Sequence, residues 1–135
     1  MKKLITAVLA TVLVSLGLVA TAGAPAQAAC PYSACIPTTT TSTHPATISG
    51  ESIKVKVKVK PASGSGTPQG TVRVGVKKYN GTYKVVQTKA YTGGKISFDF
   101  TGLVKKGKYR VVAKFIPSAS SVYLSSKSRT TFIKQ

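Results

Sequence analysis

Residues 51–60 read ESIKVKVKVK, and this stretch decides the fold. Apolar residues and lysines alternate in it without a break from Ile53 to Lys60. A period of two is typical of a β-strand that buries one face and exposes the other. The stretch therefore predicts a strand with four apolar residues in a core and four lysines on its outer face.

Five later segments continue the β pattern, and none of the chain beyond residue 48 has apolar residues at helical spacing. The pair Asn80-Gly81 predicts a hairpin between two of these segments, because both residues tolerate positive φ. Short strands at this spacing, six or seven of them by our prediction, indicate an antiparallel sandwich or barrel with one core. The segments are TVRVGVKKY, TYKVVQTKAY, KISFDF, KYRVVAKF and KSRTTFIK.

The beginning of the chain has the organisation of an export signal. Two lysines precede an apolar run from Leu4 to Ala20, and Ala26 and Ala28 supply the small residues that signal peptidase requires. We expect residues 1–28 to be a cleaved signal peptide and the mature protein to be secreted. An uncleaved membrane anchor is the competing interpretation, although a spanning helix needs roughly 20 apolar residues.

Both cysteines follow the expected cleavage site, in the segment CPYSAC. In an exported protein a disulfide between Cys30 and Cys35 is the default expectation. Their spacing is not the C-x-x-C of a thioredoxin-like site, and two thiols without clustered histidines do not form a zinc site. Lipid attachment at Cys30 and a pair of free thiols are the alternatives.

The next segment, IPTTTTSTHPAT, is rich in Thr and Pro and has no apolar periodicity. We interpret residues 29–45 as the cysteine pair followed by an extended linker. This linker leads into a single domain that spans residues 46–135. His44 is the only histidine in the chain, and we expect it to be solvated.

The chain is strongly basic, with 20 Lys and Arg residues against two carboxylate side chains and a formal net charge of +18. Soluble surfaces usually mix charges of both signs, so the shortage of acid favours an anionic partner. Only Arg73, Arg110 and Arg129 are arginines. Because lysine is a hydrated point charge, this composition favours diffuse attraction to a polyanion over the reading of base edges.

The order of these signals resembles the bacterial immunoglobulin-like domains of secreted and surface-attached proteins. The matching segments within residues 46–134 are TPQGTVRV, GGKISFDFTGLVKKGKYRVVAKF and SASSVYLSSKS. The resemblance implies an immunoglobulin-like antiparallel β-sandwich in which the Tyr109 hydroxyl bonds to nearby backbone. It also implies that the ESIKVKVKV and KISFDF strands pair in one sheet, with Asp99 on the outer face beside the lysines. The chain departs from the family in its single copy, its charge and the absence of acid in PSASSVY.

The inventory of chemically active side chains is poor. One His, one Asp, one Glu and two cysteines cannot assemble a catalytic triad, and no glycine-rich loop is present to cradle a phosphate. We therefore expect a non-enzymatic protein with no catalytic residue, no metal and no cofactor.

We expect the mature domain to associate with the cell surface or matrix through electrostatic attraction. The expected partners are anionic cell-wall polymers or surface lipids. Specific nucleic-acid binding is not expected, because exposed aromatic residues are not interleaved with the basic ones. A purely structural or adhesive module, and a cationic protein acting on nucleic acid or membranes, are the alternatives. The expected polyanion contacts are Lys54, Lys56, Lys58, Lys60, Arg73, Lys77, Arg110 and Lys114.

Overall fold

A computed structural model describes residues 34–81 and 84–135 of the chain. These residues are all-β, and they include no helix that could cross a membrane. Their eight strands form a three-stranded sheet, in the order β1-β3-β6, and a five-stranded sheet, in the order β2-β8-β7-β4-β5. The strands are β1 (Thr38–Thr43), β2 (Thr47–Ile48), β3 (Ile53–Pro61), β4 (Gly70–Lys78), β5 (Lys84–Tyr91), β6 (Lys95–Phe100), β7 (Gly107–Pro117) and β8 (Ser126–Lys134).

The two sheets enclose one hydrophobic core, as in a β-sandwich. The alternation in β3 is confirmed, because its apolar residues are buried while the lysines between them face outward. Strand β7 follows the same pattern, with its odd-numbered residues from Tyr109 to Phe115 buried. The fully buried side chains of largest volume are Tyr91, Tyr109, Phe98, Phe100, Phe115, Phe132 and Leu103.

Six predicted strands are confirmed as β3 to β8, and the expectation of an extended linker after the cysteine pair is wrong for the described residues 36–45. Thr38–Thr43 form β1, which pairs with β3 in antiparallel register. Threonine is β-branched and favours strands, and the inward residues Thr40 and Ser42 are buried. Ile36 is also anchored, because its N–H donates to the carbonyl of Val122 at 2.8 Å. The ordered domain therefore begins well before residue 46.

Serine and threonine hydroxyls on the inner sides of β1 and β8 meet across the two sheets. Thr40 Oγ1 lies 2.6 Å from Ser126 Oγ, and Ser42 Oγ lies 2.7 Å from Ser128 Oγ. Burial of a hydroxyl is unfavourable unless it is hydrogen-bonded, and here each hydroxyl satisfies another. We call these four residues the hydroxyl seam, and it closes one side of the sandwich.

The opposite side is closed by side chains of β5 that cover the edge strand β6. Gln87 Nε2 donates to the carbonyl of Asp99 at 2.7 Å, and Lys89 Nζ donates to the carbonyl of Ser97 at 2.7 Å. An uncovered strand edge is a template for pairing with another chain. These two hydrogen bonds occupy carbonyls that such pairing would use.

Two buried tyrosines bind backbone groups through their hydroxyls. Tyr91 accepts a hydrogen bond from the N–H of Val59 at 3.0 Å and donates to the carbonyl of Gly94 at 2.7 Å. Tyr109 donates to the carbonyl of Lys105 at 2.7 Å. The expected bond from the Tyr109 hydroxyl to nearby backbone is therefore confirmed.

The predicted hairpin between β4 and β5 is confirmed by their antiparallel pairing. The N–H of Gly81 donates to the carbonyl of Lys78 at 3.1 Å, so the central residues of the tight turn are Tyr79 and Asn80. Gly81 occupies the last position of a four-residue turn, where glycine is common. The turn therefore lies one residue earlier than the Asn-Gly signal predicts.

Strand β2 is short and runs parallel to the last strand, β8. The N–H of Ile133 donates to the carbonyl of Ala46 at 2.9 Å, and the N–H of Gln135 donates to the carbonyl of Ile48 at 3.0 Å. The short strand that follows β1 and the last strand of the domain are thus joined directly by backbone hydrogen bonds. All other strand pairs are antiparallel in the described part of the chain.

The expected signal peptide, residues 1–28, and Cys30 lie outside the described residues. Cys35 lies inside them and is not a free cysteine. Its disulfide with Cys30 stays a prediction.

Candidate functional site

The four lysines of β3 project from the outer face of the three-stranded sheet. Lys54, Lys56 and Lys60 are exposed, and Lys58 is half-buried. Strand β3 lies in the middle of its sheet, between β1 and β6. Lysines that discourage edge-to-edge pairing belong on edge strands, so edge protection does not account for these four.

The neighbouring strands add hydroxyls on one side of the lysines and mixed charge on the other. Thr41 lies opposite Lys58 on β1, while Lys95 lies opposite Lys58 on β6. A shallow groove follows this face, and its lining side chains include Thr41, Thr43, Lys56, Lys58, Lys60 and Lys95. We call the outer surface formed by Lys54, Lys56, Lys58, Lys60 and Lys95 the lysine face.

Asp99 lies on the lysine face, as predicted. It is opposite Lys54 in the register of β3 and β6, and its Oδ1 is 3.6 Å from Lys54 Nζ. Both side chains are about 60% exposed, so solvent screens the pair. It is the only ion pair that the described residues contain, and it offsets part of the positive charge at one end of the face.

The other four expected contact residues lie together on the outer face of the five-stranded sheet. Arg73 is opposite Lys114, and Lys77 is opposite Arg110, on the central pair of strands β4 and β7. The flanking strands extend both rows, because Lys127 is opposite Lys114 on β8 and Lys84 is opposite Lys77 on β5. We call the outer surface formed by Arg73, Lys77, Lys84, Arg110, Lys114, Lys127 and Arg129 the arginine face.

Like charges lie side by side on the arginine face. Adjacent strands are about 4.8 Å apart, so the cations of each row repel one another. The chain has two acidic side chains, Glu51 before β3 and Asp99 on β6, and neither belongs to the five-stranded sheet. An anion bound on this face would relieve repulsion that no carboxylate of the chain offsets.

A depression separates the two rows of cations. Its floor is formed by Gly75, which has no side chain, and by Val86 and Val112, which are half-buried. Arg73 and Lys114 line one side, and Lys84 lines the other. The sequence does not reveal this depression, because Gly75 and Val112 are 37 positions apart in the chain and meet only through the strand register.

Tyr79 is an exposed aromatic residue that sequence reasoning did not single out. Lys108 Nζ lies 5.1 Å from its ring centroid, and Arg110 Cζ lies 4.8 Å from it. Cations at this distance are attracted by the ring. Tyr79 therefore orients Arg110 at one border of the arginine face.

His44 is half-buried, so the expectation of a solvated side chain is wrong. Its Nε2 is 2.7 Å from Thr130 Oγ1, and its ring packs edge-on against Phe132 with 5.7 Å between ring centroids. Thr130 Oγ1 lies 3.2 Å from Ser42 Oγ, so His44 extends the hydroxyl seam at one end. Within residues 34–81 and 84–135, no three His, Cys, Asp or Glu side chains form a group that could hold a metal ion.

No family model, no curated protein and no solved structure matches this chain. The resemblance to bacterial immunoglobulin-like domains stays a prediction.

Proposed function

We propose that this protein is a secreted, non-enzymatic immunoglobulin-like domain that associates with the cell surface by electrostatic attraction to anionic wall polymers. The observation that carries this proposal is that both outer sheet faces present rows of cations, while the described residues contain one ion pair, between Lys54 and Asp99. A surface built only for solubility would mix charges of both signs.

The order of the strands supports the immunoglobulin-like part of the proposal. When β3 and β6 are equated with strands B and E, and β4, β7 and β8 with strands C, F and G, the order of these five strands matches that fold. Strand β5 differs, because it pairs with β4 and leaves no strand D beside β6 among the described residues. The hydrogen bond from Tyr109, near the start of β7, to the carbonyl of Lys105 corresponds to the tyrosine corner of such sandwiches.

The positions of the apolar residues favour a surface coat over a membrane-active protein. A protein that inserts into the interface of a bilayer needs an apolar face next to its charges. Here the alternation directs the apolar side chains of β3 into the core, where Val55 and Val57 are fully buried. The outer face of β3 therefore offers anionic head groups charge attraction and no apolar side chain.

The aromatic residues argue against a single-stranded nucleic-acid binder, which needs exposed rings on which bases stack. Tyr79 is the exposed aromatic side chain of the described residues. Lys108 and Arg110 already lie over its ring, so a base would have to displace them.

The test is binding of the purified protein to teichoic acid and to duplex DNA across a salt series. Neutralising phosphate groups releases counterions, so the affinity for both polymers should fall steeply with salt. The variant Lys56→Gln with Lys58→Gln should bind teichoic acid more weakly and with a shallower salt slope. The matched control, Lys105→Gln with Lys106→Gln, removes the same charge from the exposed loop before β7 and should lose less. If the protein binds neither polymer at physiological salt, the proposal is contradicted. A structural or adhesive module would then be the remaining function.

A further inference from the structure

The chain's three arginines are all on one face of the sandwich. Arg73, Arg110 and Arg129 lie on β4, β7 and β8, the three adjacent strands at the centre of the five-stranded sheet. The lysine face, in contrast, contains no arginine and includes Asp99. The two basic faces therefore differ in chemistry as well as in position.

Val112 is the centre of this arrangement. Gly75 and Arg129 lie directly opposite it on the two neighbouring strands. Arg110 and Lys114 flank it along β7, each two residues away and so about 7 Å from it. The half-buried Val112 is thus bordered by cations along β7 and on the side of β8.

The depression described above runs across the strands from Val86 through Gly75 to Val112. Strand β5 is the edge strand of its sheet, so the depression opens at the sheet edge beside Val86. Beyond Val112, the next residue in the strand register is Arg129 on β8. The rows of cations on its two sides are four residues apart along the strands, which corresponds to about 14 Å. This shape admits one extended polymer chain, whereas a duplex would rest on the side-chain tips and leave the floor empty.

We propose that this depression binds phosphodiester groups of an extended wall polymer of the poly(glycerol phosphate) type, through the guanidinium groups of Arg73, Arg110 and Arg129. The proposal rests on the proposed function and deepens it, because it assigns phosphate recognition to one face. A guanidinium offers two parallel N–H donors that match the oxygen pair of a phosphate, whereas an ammonium acts as a point charge. The apolar floor suits the carbon backbone between phosphates, and the lysine face adds attraction without this geometry.

The first test exchanges guanidinium for ammonium without changing the charge. The variant Arg73→Lys with Arg110→Lys and Arg129→Lys is compared with the native protein for binding to poly(glycerol phosphate) and to polyglutamate. We expect the variant to lose about tenfold in affinity for the phosphate polymer, because bidentate bonds are lost. A guanidinium can also hold a carboxylate through two hydrogen bonds, but polyglutamate carries its carboxylates on flexible side chains and not in its backbone. The variant's affinity for polyglutamate should therefore change less than about twofold, since the net charge is the same. Circular dichroism and the thermal midpoint check that the variant is folded.

The second test fills the floor. A Cβ at Gly75 would have Val86 Cγ2 as its nearest neighbour, at 3.6 Å, which is an ordinary contact. Gly75→Gln should therefore fold and should weaken binding to poly(glycerol phosphate), again by about tenfold if the polymer lies on the floor. Gly50→Gln is the matched control, because a Cβ there has nothing within 4 Å, and it should bind like the native protein.

Three outcomes would overturn the site. The triple arginine variant could bind both polymers like the native protein, it could lose both affinities equally, or it could lose more affinity for phosphatidylglycerol vesicles or duplex DNA than for the soluble polymer. In each of these cases steep, salt-dependent binding by the native protein would leave the proposed function standing. If the native protein binds neither polymer at physiological salt, the proposed function fails as well.

Discussion

Lys89 Nζ donates a 2.7 Å hydrogen bond to the carbonyl oxygen of Ser97, and this bond links the edges of the two sheets. The same ammonium lies 5.2 Å from the ring centroid of Phe98. Gln87 makes a corresponding bond to the carbonyl of Asp99. Composition alone would count Lys89 only toward the positive charge of the protein. In the structure its side chain helps to close one side of the sandwich.

Removal of both side chains that cover β6 should destabilise the protein and expose its edge. Gln87→Ala with Lys89→Ala deletes two exposed hydrogen bonds, and we expect a loss of about 1–2 kcal/mol in the free energy of unfolding. The uncovered carbonyls should also increase self-association. Urea unfolding measures the first effect and light scattering the second. Thr88→Ala, between them on the outer face, is the control, and an equal loss there would show that the bonds are unimportant.

The hydroxyl seam should contribute measurably to stability. Ser42→Ala leaves the hydroxyl of Ser128 without its 2.7 Å partner, and we expect a loss of about 1–2 kcal/mol in urea unfolding. Thr41→Val removes a hydroxyl from the exposed side of the same strand and should cost less than about 0.5 kcal/mol. The seam has no role in stability if the two variants lose the same amount.

A double-mutant cycle tests whether the loss comes from the unpaired hydroxyl. Replacement of both partners of a buried hydrogen bond can be nearly neutral, whereas removal of one leaves the other unsatisfied. Ser42→Ala with Ser128→Ala should therefore cost less than the sum of the two single variants. If the double variant instead loses the sum of the two single losses, the destabilisation comes from local strand packing and not from an unpaired hydroxyl.

The tyrosine hydroxyls should contribute different amounts to the free energy of unfolding, because they make different numbers of hydrogen bonds. Tyr91→Phe removes contacts to Val59 and Gly94, and we expect a loss of about 2–3 kcal/mol. Tyr109→Phe should cost about 1 kcal/mol. Tyr79→Phe is the control, because its exposed ring keeps its cation contacts, and its stability should be unchanged. Thermal and urea unfolding would contradict this order if Tyr91→Phe were the mildest change.

The ion pair between Lys54 and Asp99 should be weak and sensitive to salt. Both side chains are about 60% exposed, so Asp99→Asn should cost less than about 1 kcal/mol at moderate ionic strength. The cost should be largest at low salt and should vanish near 1 M, where the Debye length is about 3 Å. Glu51→Gln is the control, since the described residues give Glu51 no ion pair. A cost for Asp99→Asn that is independent of salt would point to packing.

The strands that alternate apolar and charged residues could be predicted from the sequence, and β1 could not. In β3 apolar and charged residues alternate, so the residue types themselves show which face is buried. In β1 both faces carry hydroxyls, and Thr40 is buried only because Ser126, 86 positions later, supplies its hydrogen-bond partner. Such a long-range polar contact has no local signal.

The candidate site, too, could be predicted from the sequence only in part. That Arg73 and Lys114 point outward follows from alternation within each strand. Strand order and register, in contrast, place Arg129 beside Val112 and put β3 in the middle of its sheet. The sequence therefore predicted which basic side chains face outward, while the depression and the grouping of arginines required the structure.

The parallel pairing of β2 with β8 has a mechanical consequence. A force that pulls the two ends of the chain apart meets β1 first on the N-terminal side. Once β1 has detached, the force acts along β2 and β8 in opposite directions. The bonds from Ile133 to Ala46 and from Gln135 to Ile48 then bear the load together and resist sliding, instead of opening one after another. A domain held at one end and dragged by flow at the other would thus keep a second point of resistance after β1 is pulled away.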